Sequence, residues 1–153
     1  MSDIDKLTVI DRDLVENIKS IILSSRKSLS QRVNQELIFT YWRIGKEIVD
    51  TEQKNNLDNQ SSRQIILNLS KLLTKEIGKG FSRSNLFNMR KLYTEYPDVQ
   101  SLTGHLTWTH FCELLIIEDK AKRSFYEKET VNSNWSIREL KRQIDSSLYE
   151  RLL

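Results

Sequence analysis

Pro97-Asp98, followed further along by Glu118-Asp119-Lys120, supplies carboxylates and a lysine in the written order of the PD-(D/E)xK pattern. In that pattern the acids hold Mg²⁺ and the lysine helps to activate water. The chemistry needs these groups to converge from adjacent strands of a sheet. Here Pro97-Asp98 falls at the end of one helical pattern and Glu118-Asp119-Lys120 at the junction of two others, so the match reads as chance in a chain that is 29% charged. His105 and His110 are the only histidines, five apart and without a second cysteine, which is not a metal-ligand spacing. Cys112 lies in an apolar run and reads as a buried thiol rather than a nucleophile. There is no glycine-rich phosphate loop, serine elbow or HExxH stretch. No catalytic residue, metal site or cofactor is assigned.

A second set of side chains suits contact with nucleic acid. On a helix running from Ser82 to Tyr96, Arg83, Ser84, Phe87, Asn88 and Lys91 fall on one side. Cations suit phosphates, amide and hydroxyl groups suit base edges, and a ring suits a thymine methyl. With the flanking Lys79 and Arg90, the candidate DNA contacts are Lys79, Arg83, Ser84, Phe87, Asn88, Arg90 and Lys91. Six cations stand between Lys71 and Lys91 against Glu76 alone, whereas the whole chain carries only +3, so the basic character is local. A charged outer face is also what any solvated helix presents. The pattern alone therefore leaves a plain surface as the competing reading.

The elements that must position these residues are helical. Ile65, Ile66, Leu69, Leu72, Leu73 and Ile77 make an apolar stripe, with Ser61 and Gln64 suggesting a capping box at its start. Gly78-Lys79-Gly80 ends that helix, and Ser82 caps the next, which packs inward through Leu86, Met89, Leu92, Tyr93 and Tyr96 until Pro97 stops it. The unit about 61–97 reads as a helix-turn-helix. Upstream, residues 1–10 read as a loose arm. From Asp11 to Thr51 an apolar stripe from Leu14 to Ile48 continues without a proline, implying one helix about 60 Å long, or two broken near Ser28-Leu29-Ser30. One long or slightly bent helix is the reading taken. It outruns a small domain, so part of it is expected to face another chain. Gly45, flanked by Tyr41 and Trp42, reads as a point of close packing. A polar loop over 51–60, an irregular stretch over 98–107, a short apolar helix capped by Thr107, a polar helix over 119–130 with Ala121, Phe125 and Tyr126 inward, and a final helix from Ser136 to about Leu153 complete an all-α chain. Residues 11–153 form one domain.

Four glycines and one proline are too few for a turn-rich β fold. No apolar run approaches the roughly 20 residues of a membrane span. The polar N-terminus does not resemble a signal peptide, and a single cysteine suits a reducing compartment. A cytoplasmic location is expected.

Several stretches taken together resemble the N-terminal domain of the YhcG-like family of bacterial PD-(D/E)xK nucleases. They are Val33-Asn34-Gln35-Glu36-Leu37, Tyr41-Trp42-Arg43-Ile44-Gly45-Lys46-Glu47-Ile48 and Gly80-Phe81-Ser82-Arg83-Ser84-Asn85-Leu86 with Met89-Arg90. Leu106-Thr107-Trp108-Thr109-His110, Phe125-Tyr126, Trp135-Ser136 and Leu148-Tyr149-Glu150-Arg151 extend the match from about Asp13 to Leu153. The resemblance implies a helix-turn-helix-like domain that binds duplex DNA, with a nuclease domain following Leu153. The family's catalytic residues then have no counterparts here. Two functions are thus expected: a DNA-binding module that self-associates through its long first helix, or, alternatively, a protein-interaction and dimerisation module without DNA contact.

Overall fold

The computed structural model describes residues 2–153. Among them it contains helices and no strand. The helices are α1 (Asp3–Lys54), α2 (Asn59–Glu76), α3 (Arg83–Glu95), α4 (Trp108–Leu115), α5 (Lys120–Ser133), α6 (Ile137–Asp145) and α7 (Leu148–Leu152), with a 3-10 turn over Val99–Ser101.

The long first helix is unbroken, about 78 Å at 1.5 Å per residue. It starts well before Asp11. Ser2 accepts the Asp5 N–H while the Asp5 carboxylate accepts from the Ser2 N–H, a capping box that makes the expected loose arm helical from Asp3. The expected loop over 51–60 is also shorter. Asp58 rather than Ser61 caps α2, its carboxylate taking the Ser61 N–H at 2.7 Å. At the other end the single last helix divides into α6 and α7, because Ser147 takes a left-handed conformation (φ 58°). Ser136 caps α6, and the Glu139 carboxylate turns to Arg142 and Gln143 rather than back to the cap.

Helix α3 is the hub, packed on α1, α2 and α4. Leu86, Met89 and Leu92 are fully buried and Tyr96 nearly so. Gly45 explains how closely α1 approaches: a Cβ there would stand 2.0 Å from the Met89 carbonyl oxygen. On either side of it, Trp42 donates its indole N–H to the Tyr96 carbonyl at 3.0 Å, and the Tyr41 ring meets that of Trp108. Gly78 and Gly80 adopt φ of 124° and 106°, and the Ser70 hydroxyl pins the turn by donating to the Phe81 carbonyl at 2.7 Å. A second core forms where Phe111, Leu114, Leu115, Tyr126 and Leu140 meet α1 through Ile38.

Candidate functional surfaces

The seven candidate DNA contacts divide sharply in the structure. Lys79, Arg83 and Ser84 are exposed. The other four have partners inside the chain. Arg90 grips the buried Glu52 of α1 through Nε (2.7 and 3.0 Å) and Nη2 (2.6 Å), and this pairing raises the guanidinium pKa. Lys91 donates to the Leu115 carbonyl at 2.6 Å, closing the C-terminal end of α4. Asn88 faces the Cys112 thiol, whose pKa is pushed up to about 11 by burial. Phe87 packs against the α2–α3 core with Arg63 over its ring. The expected outward face is therefore free only in its first turn. Packing of α1, α2 and α4 against α3 covers the rest, a tertiary contact that helical periodicity cannot register.

A smaller basic surface remains around the glycine turn. Lys71, Lys75, Lys79 and Arg83 are all exposed, and none joins an ion pair among the described residues. Arg63 was missed from sequence because its role depends on the Phe87 ring of another helix.

The first part of α1 presents a different surface. Every residue from Asp3 to Val33 is exposed except the half-buried Ser28. Asn34 is the first whose side chain bonds to the body, donating to the Thr103 and Leu106 carbonyls at 3.1 and 2.8 Å. Roughly 45 Å of helix thus projects beyond the body. Twelve large apolar side chains between Ile4 and Val33 stand 44–76% exposed.

The residues of the PD-(D/E)xK match are only partly brought together. Asp98 and Lys120 line one cleft, together with Glu95, Arg123 and Glu127. Yet the Asp119 carboxylate caps α5 by accepting the Lys122 N–H, and the Glu118 side chain is 91% exposed. Within the cleft, the Arg123 guanidinium is buried against Glu95 at 2.8 Å and the Ile117 carbonyl at 2.7 and 3.0 Å, a clamp between α3 and α5. Burial also holds the Glu127 carboxyl above its usual range. His110 accepts the Thr107 N–H on Nδ1, so its Nε2 carries the proton and donates to the Trp135 carbonyl at 2.9 Å. No group of three His, Cys, Asp or Glu among the described residues is placed to hold a metal. Nor is any of their helices long and apolar enough to cross a membrane.

An all-helical chain whose α3 docks on Gly45 of a long first helix, with the glycine turn and the Thr107 cap in place, carries the features that suggested the resemblance. A family model for the DUF1016 N-terminal domain matches residues 17–151, and the chain belongs to that family. It is similar to the Escherichia coli (strain K12) protein named "Putative nuclease YhcG", 32% identical over an alignment 170 positions long whose residues cover 90% of this chain. Those residues cover 45% of the relative, so the chain spans about half of that protein's length. No solved structure matches.

Proposed function

We propose that this chain is the assembly module of a YhcG-like nuclease, joined to a second copy through the projecting part of α1. One observation carries the reading: the apolar surface from Ile4 to Val33 has no cover among the described residues. Leaving it in water is unfavourable in proportion to its area, so association is the expected outcome. Sedimentation at micromolar concentration should give a dimer or larger species, and Ile18→Asp should return it to a monomer. A wild-type chain that stays monomeric at high concentration would remove the reading.

A second reading, DNA contact, is favoured by the exposed cations Lys71, Lys75, Lys79 and Arg83. It concerns phosphates, because Asn88, Arg90 and Lys91 are engaged within the fold. Four phosphate contacts give a log–log salt slope of about −3 to −4 per protomer. Lys79→Ala should flatten that slope by about one unit and weaken binding alike on all sequences. Arg90→Ala should alter stability instead. Duplex binding indifferent to salt, or absent, would confine the chain to protein–protein assembly.

A further inference from the structure

The projecting part of α1 carries its charge unevenly. From Asp3 to Glu16 there are five carboxylates, Asp3, Asp5, Asp11, Asp13 and Glu16, against Lys6 and Arg12. From Asn17 to Val33 there are four cations, Lys19, Arg26, Lys27 and Arg32, and no carboxylate. Pairing two copies in parallel sets acid beside acid and base beside base. Antiparallel pairing sets the acidic half of each against the basic half of the other.

The geometry of the segment fixes a register as well. Ile18 is the midpoint of Asp3 and Val33, so an axis there overlaps the whole projecting length of both copies. The tip of each helix then meets the point where the other's Asn34 enters its body. At about 100° per residue, positions equidistant from Ile18 lie at equal and opposite angles about its direction, so they form layers along the seam. That layering sets Leu14 against Ile22, Leu7 against Leu29, Val15 against Ile21, and Ile18 against its own copy. It also lays the acidic Asp3–Glu16 half of each copy alongside the basic Lys19–Arg32 half of the other. With about ten side chains each covering roughly 80 Å², the pair buries about 800 Å² per copy, the size of a stable interface.

We infer that two copies of this chain pair antiparallel through residues 3–33 of α1, with the two-fold axis at Ile18 and the two bodies about 50 Å apart at opposite ends. The inference rests on the self-association proposed above and adds its orientation and register.

Cysteine cross-linking in the full chain tests it, in a Cys112→Ser background under mild oxidation. A disulfide needs Cα atoms within about 7 Å. An equimolar mixture of Leu7→Cys and Leu29→Cys chains should form the heterodisulfide. Leu7→Cys alone should not cross-link to itself, since its two copies lie about 33 Å apart. Asp5→Lys with Asp11→Lys should weaken the homodimer at least tenfold at low salt, and mixing with Arg26→Glu/Arg32→Glu chains should restore dimers. A dimer in which Leu7→Cys links to Leu7→Cys overturns the antiparallel arrangement and leaves self-association standing. A chain that stays monomeric overturns both, whether its stripe is bare, held by a different protein or, on pelleting with anionic vesicles, held by a lipid surface.

Discussion

Two stretches of one helix, Asp3–Val33 and Asn34–Lys54, share an apolar periodicity and meet different fates. The outer stretch is aliphatic, with no aromatic residue and no glycine, and it stays exposed. The inner one holds Phe39, Tyr41, Trp42 and Gly45, and it buries Ile38, Gly45, Ile48, Val49 and Glu52. An apolar stripe announces that a helix has a partner without saying whose. Composition answers that better. Glycine beside large rings signals another backbone at close range within the chain, whereas an aliphatic stripe with segregated charge suits a second, equivalent helix.

Gly45→Ala should break the inner half with the largest effect. Alanine improves helix propensity by about 1 kcal/mol. Its methyl, however, would lie 2.0 Å from the Met89 oxygen and 2.8 Å from the Met89 carbonyl carbon, backbone atoms that no side-chain rotation can move. Overpacking typically costs about 1–3 kcal/mol and more where only backbone can give way; at about 4 kcal/mol here, less the propensity gain, the net loss is about 3 kcal/mol. Urea unfolding followed by circular dichroism reads it as a lower midpoint. A midpoint at or above the wild type would show that α1 and α3 do not touch there.

Arg90→Ala should cost less, about 2 kcal/mol. Stranding a fully buried partner typically costs 3–5 kcal/mol. Glu52 is only 7% exposed but Arg90 is about a third exposed, so water can take over part of the guanidinium's work. A double-mutant cycle with Glu52→Gln isolates the pair. Coupling near zero would mean that the ion pair is ornamental and would return Arg90 to the list of free cations for DNA.

Much of this fold was legible in the residues. The Gly78–Gly80 turn, the Ser82 and Thr107 caps and the inward face of α3 follow from local chemistry, and the structure contains each of them. Gly45 was legible as a packing point because glycine inside a helix needs a reason. Boundaries set by competing caps were less so: Asp58 displaced Ser61, and Ser2 extended α1 to Asp3. In α5, Ala121 stays exposed while Arg123 goes inside, since its charge partner Glu95 is distant in sequence. The candidate surface was hardest to read. Periodicity places Lys91 outside α3 correctly in angle, but the Leu115 carbonyl occupies that outside, and the neighbouring Arg90 turns to Glu52. The charge polarity of α1, by contrast, could have been counted from the start.

Leu14→Ser should have the smallest effect on the folded body and is the sharpest test of the two-part helix. Leu14 is 53% exposed and lies far from Asn34, where the body begins, so its replacement removes no contact with the body among the described residues. Measured at high dilution, where copies are separate, the unfolding midpoint should stay within about 0.5 kcal/mol of the wild type, as for surface changes generally. Raising the protein concentration should then stabilise the wild type, because association favours the folded state by mass action, while the variant responds less. The gap between the two curves should therefore widen with concentration. A loss at high dilution as large as that of Gly45→Ala would mean that the outer stretch folds back onto its own body, and the distinction between the two halves of α1 would disappear.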